Sequence, residues 1–135
     1  MSKITKVVVG IVVNENDKSL LIAKRQHGKE LAGFWEFPGG KVEKEEQPLE
    51  ALKRELYEEI GIMLTEAMLF TTKQHQYNDK VIDLAFFIVS AFEGIPYAKE
   101  GQALKEVGFD ELHDFPMLEA NKEIIDLLCQ RYKVS

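Results

Sequence analysis

Two apolar runs open the chain. "ITKVVVGIVV", ending at Val13, is dense in valine and isoleucine, which suit a buried pleated surface, and "NEND" after it is built of residues that tolerate turn angles. "KSLLIAKRQ" then reads as the returning strand of a hairpin. From His27 to Gly40, "HGKELAGFWEFPGG" has no period and mixes glycine with aromatics, which predicts a loop around a short strand at "FWEF". The period then changes. Leu49, Leu52, Leu56 and Ile60 recur at helical spacing, with Pro48 suited to the first turn and Gly61 to the left-handed position just past the end. "LFTTKQHQY", "NDKVIDLAFFIVSAFEG" and "LKEVGFDEL" predict further strands, with "NDK" as a turn. "EANKEIIDLLCQRY" predicts a closing helix that turns Ile124, Ile125, Leu127 and Leu128 inward, with Asn121 as its N-cap. The order predicts an α+β fold with a mixed or antiparallel sheet between helices.

A chain of 135 residues, 45% hydrophobic and 30% charged, matches one globular domain over 1–135 that folds without staples. Its net charge is −6, and its bases are scattered, which argues against polymeric nucleic acid as a partner. A small phosphorylated ligand stays compatible if a metal carries the positive charge. Cys129 is the sole cysteine, so no intramolecular disulfide forms. The opening apolar run is too short for a membrane span and lacks a small-residue cleavage site, so it reads as a strand and the expected location is cytoplasmic. A monomer or weak homodimer is expected.

The predicted helix over "PLEALKRELYEEI" carries Glu55, Glu58 and Glu59 within a turn and a half. Like charges at that spacing repel. Taking ~100° per residue from Leu49, the apolar stripe spans about 300° to 20°, and Glu58, Glu55 and Glu59 fall at about 180°, 240° and 280°. The three carboxylates therefore share the face beside the stripe, where a divalent cation would remove their conflict. Oxygen-only ligands suit Mg²⁺ or Mn²⁺. The plain alternative is a solvated helix with ion pairs such as Arg54 with Glu58 and Glu50 with Arg54.

The spacing favours the metal. Gly40, Glu46, Arg54-Glu55-Leu56, Glu58-Glu59 and Gly61-Ile62 fix nine positions in 23 residues, and this pattern resembles the signature of the Nudix hydrolases at each of them. The resemblance implies a loop-helix-loop on an α/β/α sandwich that binds divalent metal and cleaves a nucleoside diphosphate linked to a further group. It implies that Glu55, Glu58 and Glu59 are metal ligands or the base that activates water. Arg54 would orient Glu55, Glu46 would support them, and a Gly39 or Gly40 carbonyl would complete the metal sphere.

Outside the motif, "GIVVNEND", "AKR", "GFWEFPGGKVE", "KEGQ" and "DFP" followed by "EAN" resemble the MutT branch, which removes oxidised guanine nucleotides. That resemblance implies hydrolysis of 8-oxo-dGTP, with a CTP or dCTP pyrophosphohydrolase and a non-catalytic nucleotide-binding module as alternatives. It makes Glu100 a further metal ligand or base, Arg25 a contact to phosphates or sugar, Phe37 a wall of the base site and Asp79 a contact to base or sugar. Asn121 would read the base: a carboxamide oxygen can face the N7–H of 8-oxoguanine while its NH₂ faces O6. Against normal guanine the same oxygen would meet a lone pair. The "MLE" before Asn121 replaces the second proline usual after "FP" in that branch. Trp35 is expected to pack under the glycine loop, and His27, His75 and His113 are too dispersed for a zinc site.

Overall fold

The computed structural model describes residues 3–25 and 32–132; His27 lies outside them. Its strands are β1 (Lys3–Asn14), β2 (Ser19–Lys24), β3 (Trp35–Glu36), β4 (Gly39–Lys41), β5 (Met63–Tyr77), β6 (Lys80–Glu93) and β7 (Leu104–Gly108). The helices are α1 (Pro48–Ile60) and α2 (Lys122–Arg131), with short 3-10 turns at Phe109–Asp114 and Glu119–Asn121. The sheet runs β3-β2-β1-β6-β5, with β4 also on β1 and β7 on β2. It is mixed, because β1 and β6 are parallel from Lys3↔Lys80 to Val12↔Val89 while the other pairs are antiparallel.

β1 explains why helices lie on both sides. Its side chains alternate: Val8 and Val12 join Leu52, Leu56 and Ile60 of α1, whereas Val9, Ile11 and Val13 join Ile124, Ile125 and Leu128 of α2. An all-valine/isoleucine run is what a strand covered on both faces requires. Gly10 faces α1, and a Cβ there would press against Leu52 and Leu56 at 3.2–3.3 Å. The α/β/α arrangement expected from the sequence is therefore present.

The predicted caps of α1 are present too. Pro48 sits in the first turn, and Gly61 adopts φ 70° with its N–H donating to the Tyr57 carbonyl. Two inward assignments need correction. Leu49 is 41% exposed and Leu127 40% exposed, while Ala51 is fully buried. Ala51 shifts the buried arc of α1 toward Glu55 and Glu59, which leaves Leu49 at its margin in the first turn. The predicted strand at "FWEF" shrinks to Trp35–Glu36, since the chain must turn through Pro38 to pair again as β4.

Candidate active site

Arg54, in the middle of α1, gathers the acidic residues around it. Its Nε donates to Glu46 Oε2 at 2.8 Å and one terminal nitrogen to Glu46 Oε1 at 3.0 Å, a two-pronged pairing that fits guanidinium to carboxylate. The same nitrogen reaches the Lys41 carbonyl at 3.0 Å, and the other donates to Glu55 Oε1 at 2.8 Å and Glu58 Oε2 at 3.4 Å. This network holds the Glu46 carboxyl down at about 2 and raises the guanidinium further above its ordinary value. Of the ion pairs in the solvated-helix alternative, Arg54 with Glu58 is present at 3.4 Å, whereas Glu50 accepts from the Gln47 N–H at 3.0 Å, closing the helix N-terminus.

β4 presses its glycines against β1 and α1. A Cβ on Gly39 would collide with the Val8 carbonyl, and one on Gly40 would land on the Glu55 carboxylate. The Gly39 N–H donates to Glu59 Oε2 at 2.9 Å. Burial pushes Glu59 up to about 8 against the pull of that hydrogen bond, with Glu55, Glu36 and Glu100 adding to the rise. Burial also raises Glu55, opposed by Arg54 and helped by Glu58 and Glu100. The three motif glutamates do not share one face evenly, contrary to expectation. The Glu55 side chain is 16% exposed and Glu58 52%, because the buried arc centred by Ala51 and Leu52 leaves Glu58 on its outer side.

The loop between β6 and β7 delivers Glu100. It is stitched to the C-terminal end of α1: the Tyr97 N–H donates to the Ile60 carbonyl and the Lys99 N–H to the Glu59 carbonyl, both at 3.1 Å. Lys99 Nζ lies 4.0 Å from the Tyr57 ring centroid and 3.4 Å from the Tyr57 carbonyl. It supplies a cation to a helix end that has no basic residue of its own. Glu100, Glu59, Glu36, Arg25, Lys24, Pro38 and Gln102 line one cleft. Arg25 pairs there with Glu36 at 3.0 Å.

The structure thus brings together Gly39, Gly40, Arg54, Glu55, Glu58, Glu59, Glu100 and Arg25. Phe37 does not line this cleft; it is 3% exposed and packs in the α2-side core, the side to which its position in the chain turns it after Glu36. Asp79 sits in the exposed turn between β5 and β6. Six residues along β6 separate Lys80 from the row where Phe86, Val9 and Gly39 meet, ~20 Å of strand. Asn121 is 5% exposed and its side chain does not cap α2. Among the described residues its carboxamide makes no hydrogen bond. The segment before it is fastened to β3, with the Trp35 N–H on the Pro116 carbonyl at 2.8 Å and the Leu118 N–H on the Trp35 carbonyl at 3.1 Å. Trp35 packs edge-to-face on Phe115. His113 is exposed, and neither it nor His75 joins a metal-holding cluster among the described residues.

Sequence reasoning missed Glu36 and Gln102. Glu36 alternates with the buried Phe37 in "FWEFPGG", which was a usable sign that it faces the other side. Gln102 ends the "KEGQ" stretch beside Glu100, but its bond to the Glu59 carbonyl joins segments that no local pattern connects.

A NUDIX domain model matches residues 4–128. The chain belongs to the NUDIX family. It is 43% identical over 100 residues to the 8-oxo-dGTP diphosphatase of Haemophilus influenzae, covering 74% of this chain and 73% of that protein. It is 36% identical over 124 residues to the CTP pyrophosphohydrolase of Escherichia coli, covering 92% and 90%. A solved MutT structure, from work on Aliivibrio salmonicida and Vibrio cholerae, superposes with TM-score 0.84 at 36% identity over 96% of this chain and 99% of that one.

Nudix hydrolases use divalent metal ions, and the donor set of this Nudix chain fits one. Burial first, and then neighbouring carboxylates, raises the proton affinity of Glu55 and Glu59: Glu58 and Glu100 act on Glu55, and Glu55, Glu36 and Glu100 on Glu59, the behaviour of carboxylates that share too little positive charge. All the candidate donors are oxygens, as a hard cation prefers. Among the described residues no three of these side chains already form a cation cage. Glu55 is turned to Arg54 and Glu59 to the Gly39 N–H.

Proposed function

We propose that this chain hydrolyses 8-oxo-dGTP to 8-oxo-dGMP and pyrophosphate, clearing oxidised guanine nucleotide from the cytoplasmic pool. The observation that carries the choice of base is Asn121, buried at 5% exposure with a carboxamide that neither caps α2 nor finds another partner among the described residues. Its polar atoms are not sealed from solvent, so the carboxamide is open to bond a complementary base edge. Relatives named 8-oxo-dGTP diphosphatase support the same reading.

In this reading Glu55, Glu58, Glu59 and Glu100, with a Gly39 or Gly40 carbonyl, hold the divalent cation, Mg²⁺ with Mn²⁺ able to substitute. Bound there, it would neutralise phosphate charge and make water more acidic. The chain's own residues do the rest. Arg25 leaves Glu36 to bind the phosphates or sugar, Arg54 keeps Glu55 oriented, and a carboxylate of raised proton affinity accepts the proton of the attacking water. Water adds to phosphorus as the bond to the pyrophosphate oxygen breaks.

The test is pyrophosphate release across canonical and oxidised nucleotides. A kcat/KM for 8-oxo-dGTP far above that for dGTP, CTP and dCTP supports the reading. Preference for CTP, the substrate named for the Escherichia coli relative, overturns the base assignment. Wild-type kinetics in Glu55→Gln and Glu58→Gln overturns the catalytic one.

A further inference from the structure

Gln102 is outside the 23-residue motif, yet both ends of its carboxamide are used. Its Nε2 donates to the Glu59 carbonyl at 3.0 Å, and its Oε1 accepts the Glu100 N–H at 3.1 Å. One side chain therefore ties the backbone of Glu100 to the backbone of Glu59, residues on different elements that line one cleft. The Lys99 N–H shares the Glu59 carbonyl at 3.1 Å, and Gly101, at φ 80°, lets the chain double back so that Gln102 can reach both.

We propose that Gln102 is a positioning residue for hydrolysis, setting the height of Glu100 over the end of α1. A planar amide with a donor and an acceptor fixes both distance and orientation, which neither the Lys99 N–H nor a charged side chain does alone. Without it the loop keeps its bonds at Tyr97, at Lys99 and at Gly101, whose N–H donates to the Ala98 carbonyl, and Glu100 loses the bond that ties its own N–H to α1 through Gln102. Small misplacements of a catalytic group are expensive, and loss of a supporting hydrogen bond in metal enzymes commonly costs ~10–100-fold.

The inference rests on the reading of Glu100 as ligand or base, and the experiment separates the two. Gln102→Met keeps length and removes both hydrogen bonds. In the full chain it is expected to lower kcat for 8-oxo-dGTP by ~10–100-fold with KM within about threefold, and to leave the melting temperature near wild type. It is also expected to speed amide exchange at Glu100, read without metal. Added to Glu100→Gln, it should cost little more, because both changes disable one device. Wild-type kcat in Gln102→Met beside an impaired Glu100→Gln overturns the inference, as do multiplicative losses in the double variant. Wild-type kcat in Glu100→Gln overturns the reading of Glu100 instead, with amide exchange still reporting whether the clamp exists. Gln102→Ala repeats the test without an added apolar side chain.

Discussion

Arg54 and Glu46 meet through two parallel hydrogen bonds, Nε to Oε2 at 2.8 Å and a terminal nitrogen to Oε1 at 3.0 Å. The pair joins the middle of α1 to the loop that precedes it, and it leaves Arg54 with a free edge for Glu55.

A pH dependence follows from that pair. The Glu46 carboxyl is lowered from 4.5 to about 2 by the Arg54 hydrogen bonds, so the unfolded chain binds its proton first. The stabilisation is complete above pH 4.5 and disappears as pH falls through about 2. Urea unfolding of wild type and Glu46→Gln in metal-free buffer should differ by a constant amount from neutrality to about pH 5 and converge toward pH 2. A difference that grows on acidification contradicts the assignment.

The two neighbouring glycines should fail differently. At Gly40 an added methyl meets the Glu55 carboxylate, the movable end of a long side chain. Gly40→Ala is therefore expected to fold and to lose ~10–100-fold in kcat. At Gly39 the methyl meets the Val8 carbonyl of a central strand, which cannot yield. Gly39→Ala should lose about 1–3 kcal/mol or more of stability. Calorimetry beside kinetics distinguishes them, and equal melting temperatures for the two variants would contradict the geometry.

Asn121→Ala removes no cap bond, so its unfolding free energy should stay within about 1 kcal/mol of wild type. The ratio of kcat/KM for 8-oxo-dGTP over dGTP should fall by ~100-fold or more, since sites that bond a substrate's polar edge discriminate strongly. An unchanged ratio would remove Asn121 from base recognition.

Leu49 and Leu56 look alike in the sequence and should not behave alike. Leu56 is fully buried against β1, and Leu56→Ala is expected to cost about 2–5 kcal/mol. Leu49, 41% exposed, should cost under about 1 kcal/mol in the same denaturation assay.

Much of this architecture was legible because local rules agreed with one another. The valine run of β1, the proline and glycine bracketing α1, and the glutamate spacing each have a local cause. What stayed hidden depends on distant neighbours. Leu49 and Leu127 fit the helical period, but which margin of a stripe is covered depends on where the helix crosses the sheet. Ala51 was too small to register as core, yet its burial rotates Glu59 inward and leaves Glu58 in water. Asn121 had two plausible roles, and its sequence position suggested the cap that the structure does not use. The stitching of Tyr97, Lys99 and Gln102 to the last carbonyls of α1 joins segments that no period connects.

The parallel pairing of β1 with β6 carries a consequence for folding. Lys3 must find Lys80 across most of the chain, and closing so long a loop is slow compared with winding α1. Gly39 takes its place only against a β1 that is already in register, and Glu100 only after β6 has been laid down. The hydrogen bonds within α1 are local, whereas those that bring Glu59 and Glu100 to one cleft join segments far apart in the chain. The cleft between α1 and the β6–β7 loop therefore depends on pairings that span much of the chain, and the acidic helix alone does not build it.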